Sequence, residues 1–186
     1  MQADFAVELG ADDEVLEIPW QGEGRTYCDL KRHPELLAQV EEARRVPELG
    51  QFLKTINSPA GRLETAKCDA WLSTDMNAEE EIFSATFKFC SYVDILFADE
   101  ATRASFSEHE QFGKRVSDLL KRAPEVRASA EFLIRRCYYQ KEKSQQEGLY
   151  VTYYLLGYGN DEAEARQRWA IGMKLAENAI RQLYGR

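Results

Sequence analysis

The run FSATFKFCSYVDILF, residues 83–97, constrains the fold more than any other segment. Phe83, Ala85, Phe87, Phe89, Ser91, Val93, Ile95 and Phe97 fall on one side of an extended ribbon, and Ser84, Thr86, Lys88, Cys90, Tyr92 and Asp94 on the other. Side chains of a strand alternate between faces, so a period of two with one apolar side predicts a strand that covers a core with one face only. Strands of that kind belong to antiparallel sheets; parallel strands, buried on both faces, read as continuous apolar runs. ETAKCDAWL, just upstream, follows the same rule. Ala66, Cys68, Ala70 and Leu72 take one side and Lys67, Asp69 and Trp71 the other.

A helix is predicted from Pro34, at the first-turn position proline favours, with Leu36, Leu37, Val40 and Ala43 on one stripe. A second starts at Pro47 and places Leu49, Phe52, Leu53 and Ile56 together; NSPAG then stops it. After the long strand, Ser107 and Glu110 have capping-box spacing, ahead of Phe112, Val116, Leu119 and Leu120. The chain from Glu131 reads as a strand, joined through the polar loop KEKSQQEG to the strand GLYVTYYLLGY. Gly157 and Gly159 read as turn glycines. Asp161 and Glu164 open a last helix with Ala165, Trp169, Met173, Ala176, Ile180 and Leu183 on its stripe. At the start, DFAVEL and VLEIPW surround a Gly-Asp turn, which is a hairpin unless residues 1–13 are flexible. The fold class expected is α+β: an antiparallel sheet with helices on one face. A ββα-ββα order follows an N-terminal extended segment and two short helices. The two halves share pattern rather than identity.

A chain of 186 residues fits a single domain, 1–186, and at this size it can bury enough surface to fold without disulfides or metal. Cys28, Cys68, Cys90 and Cys137 form no C-x-x-C pair and read as small buried thiols, Cys137 alone having cations beside it in Arg135 and Arg136. The net charge of −8 argues against a general nucleic-acid partner, whose affinity rests on Lys and Arg. No apolar run is long enough for a membrane span, and the acidic N-terminus does not read as a signal peptide, so the expected location is the cytoplasm. His33 reads as a surface or capping residue and His109 as exposed in a first helical turn.

The polar side of the strands carries the functional expectation. TYCDL and SYVDI each place a Tyr and an Asp two residues apart, hence on one face: Tyr27 with Asp29, and Tyr92 with Asp94. One reading is a ladder of cross-strand charge pairs. A second is a binding surface for a small molecule or a protein, lined by Lys67, Asp69, Trp71, Lys88, Tyr92, Asp94 and Tyr154 and needing no cofactor; the same surface would serve a homo-oligomer. The alternative is a metal-dependent hydrolase in which Asp29, Asp69 and Asp94 share a divalent cation. No nucleotide-binding or nucleophile-elbow motif is present.

Overall fold

In the computed structural model, residues 1–22, 24–141 and 144–185 are described. The strands are β1 (Gln2–Glu8), β2 (Leu16–Ile18), β3 (Gln21–Gly22), β4 (Arg25–Thr26), β5 (Leu63–Ser73), β6 (Phe87–Phe97), β7 (Ala128–Lys141) and β8 (Ser144–Gly159). The helices are α1 (Glu41–Arg45), α2 (Pro47–Ile56), α3 (Glu100–Arg103), α4 (Phe106–Leu120) and α5 (Glu162–Tyr184), with 3-10 turns at Pro34–Gln39 and Ala78–Phe83. The main sheet runs β1-β7-β8-β6-β5, and β2 continues along β7 beyond β1.

The sheet is mixed rather than wholly antiparallel. β5–β6, β6–β8 and β7–β8 are antiparallel, but β1 and β2 both run parallel to β7. The expected N-terminal hairpin does not form. Its two arms pair one after the other with the same neighbour, Phe5 opposite Phe132 and Leu16 opposite Cys137. The elements run β5, β6, α3, α4 and then β7, β8, α5, and the two hairpins differ in geometry. β5–β6 carries a bulge between Thr65 and Cys68, whereas β7–β8 pairs without a shift from Ala128↔Gly157 to Lys141↔Ser144. That ladder also converts most of the expected KEKSQQEG loop into strand; Glu142 and Lys143 lie outside the described residues.

The core lies between the sheet and α2, α4 and α5. Val93, Ile95, Phe97, Phe132, Ile134, Val151, Tyr153 and Leu155 meet Phe52, Phe112, Trp169 and Tyr184 there. Trp169 packs edge-on to Phe89 at 4.9 Å, and its indole N–H donates to Ser91 Oγ at 2.8 Å. That bond explains a serine on the greasy side of β6, because a buried indole N–H needs an acceptor. Gly157 and Gly159 are not turn residues. They sit in β8, where a Cβ would come within 2.2 Å of the Trp169 backbone nitrogen and 2.3 Å of that of Ala165. Two bare backbone positions let the first half of α5 lie directly on the strand.

Three local expectations shift. β6 begins at Phe87, because Phe83 closes the 3-10 turn and Ser84 adopts a left-handed φ of 48°. α4 is capped by Ser105, whose hydroxyl accepts from Glu108 N, one residue before Phe106 and two before the expected Ser107. His109 is fully buried, not exposed. Its Nδ1 lies 2.8 Å from the Ser105 carbonyl and its Nε2 3.1 Å from that of Leu149. The helix turns its first-turn stripe inward onto Phe97, which holds the imidazole edge-on at 4.9 Å. No described helix is long and apolar enough to cross a membrane.

Candidate functional site

Cross-strand register puts the other face of the sheet in rows. Directly opposed residues have Cβ atoms about 5 Å apart, so each row is a line of touching side chains. One row crosses every long strand: Asp4 on β1, Glu131 on β7, Tyr154 on β8, Tyr92 on β6 and Asp69 on β5. The row on one side is Gln2, Ser129, Leu156, Cys90 and Trp71. On the other side run Ala6, Leu133, Thr152 and Asp94. The Tyr92 ring is 6.1 Å from Tyr154 and 6.5 Å from Trp71, so three aromatics from three strands form one stripe. Trp71 is 40% exposed, and no helix covers it.

The face is open in the middle and walled at both ends of its strands, on either side of the stripe. At one end the Ala78–Phe83 turn folds over the sheet. Asn77 and Glu80 cap each other's backbone, Glu80 takes Lys88 Nζ at 2.7 Å and the Tyr158 hydroxyl at 3.1 Å, and Phe83 stacks on Tyr158 at 3.9 Å. At the other end β2 lays Leu16 and Ile18 against Leu96, Cys137, Tyr139 and Tyr150, a second small core on the face opposite the helices. Trp20 follows, donating its indole N–H to the Ala66 carbonyl while Lys67 Nζ lies 5.4 Å from its ring. Two concavities result. A depression of about 820 Å³ between the turn and β1 has Tyr154 in its wall. A cleft of about 620 Å³ between α1, the β3–β4 hairpin and β5 has Tyr92 in its wall.

Asp94 is a strongly perturbed carboxylate on this face. It is 5% exposed, and Thr152 Oγ1 donates to it at 2.8 Å. Arg135 Nη1 donates in turn to that hydroxyl at 3.4 Å, while its Nε is held by Glu8 at 2.7 Å. Burial raises the carboxyl pKa from 3.8 to about 7; the Thr152 hydrogen bond and the charges of Lys67 and Arg135 offset only part of this. Burial likewise raises Glu131, and the neighbouring carboxylates Glu8, Asp4 and Glu79 add to the effect.

All seven residues expected on the polar face have their contacts on this side or along its β5 rim, but not all are equally available. Trp71, Tyr92 and Tyr154 form the stripe, with Asp94 in the row beside them. Lys88 is locked under the 3-10 turn, Lys67 stacks at the Trp20 wall, and Asp69 takes Arg45 Nη2 at 3.0 Å at the β5 rim. Asp29 does not join them: it accepts from the Arg32 backbone and guanidinium in a loop, and Tyr27 packs against the second core. The three aspartates thus have three separate partners, and among the described residues no group of three His, Cys, Asp or Glu is placed to hold a metal ion. Cys137 is wholly buried, and burial pushes its thiol up to about 12 despite nearby Arg103. Sequence reasoning missed Asp4, Glu131 and Trp20. Glu131 alternates correctly with Leu133 and Arg135 and could have been placed; the other two depend on where the N-terminal segment docks.

Compared with protein-family models, curated proteins and solved structures, the chain matches none.

Proposed function

We propose that the protein is a non-catalytic binding module whose working surface is the open face of its sheet. The observation that carries this reading is the Trp71–Tyr92–Tyr154 stripe: three aromatic rings from adjacent strands, Trp71 exposed and the two tyrosines half-buried, lying between two walls with a concavity on either side. Ligand sites are concave surfaces that combine aromatic area with a few placed polar groups, and this strip sets three aromatic rings among carboxylates beside two concavities. A core would be equally served by aliphatics sealed under a helix, so an exposed Trp71 continuous with two half-buried tyrosines is better accounted for by a partner than by stability. The metal-dependent hydrolase reading has no observation in its favour, since Asp29, Asp69 and Asp94 take separate partners.

The test is a thermal-shift screen of the full chain against peptides, metabolites and divalent metals, because a ligand that binds only the native state raises its melting temperature. The best hit is then repeated on Trp71→Ala/Tyr154→Ala. Loss of the shift in that variant is the expected result. A hit indifferent to both substitutions moves the site elsewhere, and a metal shift abolished by Asp94→Asn revives the enzyme.

A further inference from the structure

We propose that the occupant of this face is a short peptide segment of another protein, with basic residues at one end followed by apolar ones. The proposal rests on the platform reading above and adds the chemistry of the partner.

Charge distribution along the central row supplies the first reason. Its ends are carboxylates and its middle is tyrosine. The β5 end already holds a guanidinium: Arg45 reaches over the rim to Asp69 at 3.0 Å and to the Ala70 carbonyl at 2.6 Å. At the β1 end, among the described residues, no cation pairs with the row's carboxylates. Asp4, Glu131 and Glu79 converge on the 820 Å³ depression, and none takes an ion pair among the described residues. Of the cations around it, Lys88 is already spent on Glu80, the Met1 ammonium donates to the Ala123 carbonyl, and Lys121 lines the depression without pairing with any of the three carboxylates. A Lys or Arg from outside would complete at this end what Arg45 completes at the other. Arg135, whose guanidinium carbon lies 5.9 Å from the Tyr154 centroid, shows that the row tolerates a cation beside its rings.

Size supplies the second reason. Neighbouring strands lie about 4.8 Å apart, so the row spans about 19 Å, the length of roughly six extended residues. The open strip is about three rows wide, on the order of 300 Å². A stable folded interface needs about 800 Å² per partner, so the strip is too small for a second copy or a docked domain. Two acidic faces would also repel each other in a chain of net charge −8. Beside the carboxylates, Leu156 and Tyr154 and then Tyr92 and Trp71 offer apolar area for the next side chains.

Fluorescence anisotropy with two labelled octapeptides tests this. One carries two arginines followed by alternating leucine and serine; the other has glutamates in place of the arginines. The arginine peptide is expected to bind the wild-type chain and the glutamate peptide not. Asp4→Asn/Glu131→Gln should weaken binding about tenfold, since a charge-assisted pair is at stake. Asp118→Asn/Glu110→Gln, which removes the same charge from α4, should leave it unchanged, with circular dichroism confirming that both variants fold. Equal effects of the two double variants, or no binding of the arginine peptide, overturn the proposal. Binding of both peptides that falls with Trp71→Ala/Tyr154→Ala but not with Asp4→Asn/Glu131→Gln overturns the basic partner and leaves the platform standing. A dimer in sedimentation that Trp71→Ala/Tyr154→Ala dissolves makes the occupant a second copy and overturns it as well.

Discussion

Asp94→Asn should make this protein more stable, and by an amount that grows with pH. The side chain is buried among Thr152, Tyr150 and Tyr92, with Lys67 and Arg135 as the nearby cations and Glu14 as the nearby anion. Its carboxyl pKa is raised from 3.8 to about 7 on folding, first by desolvation. A raised carboxyl pKa means that the folded chain holds the proton more tightly than the unfolded one. The associated stability is fully present below the unfolded pKa and drains away as pH climbs toward the folded pKa. At about 1.4 kcal/mol per pH unit, the ionised carboxylate costs about 4 kcal/mol at pH 8, and relaxation or water entry brings this toward about 2 kcal/mol. At pH 5 the same reasoning leaves less than about 2 kcal/mol. Asparagine keeps the shape and an acceptor for Thr152 but has no charge to desolvate. Urea unfolding of wild type and Asp94→Asn at pH 5 and pH 8 measures the difference, which should favour the variant and widen at the higher pH. A variant uniformly less stable, or a gap indifferent to pH, would show that Lys67 and Arg135 fully compensate an ionised Asp94 and would refute the reasoning.

His109 titrates with the opposite sign. Burial lowers its pKa more than the Ser105 and Leu149 carbonyls raise it, so the unfolded chain binds the proton first and stability falls as pH drops through the ordinary histidine range near 6.5. In the Asp94→Asn background, which removes the opposing carboxyl, His109→Gln should flatten urea midpoints between pH 7 and pH 5; a slope that survives the substitution belongs to another group. Gly157→Ala should cost about 3 kcal/mol or more, because the new methyl meets the Trp169 backbone nitrogen at 2.2 Å and neither α5 nor β8 can yield locally. Chemical denaturation reads this directly, and an unchanged midpoint would mean that α5 does not rest on the strand.

Much of this architecture was legible in the sequence because it is periodic. The alternation through β6, and the stripe running from Ala165 through Trp169 and Met173 to Ile180 in α5, each name the buried side of an element without reference to its neighbours. Asp161 capping Glu164 N is a contact between residues three apart and is equally local. Tyr92 and Asp94 could therefore be placed on the polar side of their strand by counting alone. What the sequence could not show is which strands lie side by side. The parallel docking of β1 and β2 on β7 pairs residues more than a hundred positions apart, and it is decided by which edges and apolar faces remain to be covered once the two hairpins have formed. That docking brings Asp4 beside Glu131, lays Leu16 and Trp20 over one end of the polar face, and leaves the other part open. Glycines 157 and 159 teach the same lesson from the opposite side, since only the packed helix reveals why no Cβ fits. Local pattern determined the elements and their greasy faces; long-range packing alone decided the rows, the walls and the charge environment of Asp94, because those arise where segments distant in the chain exclude water together.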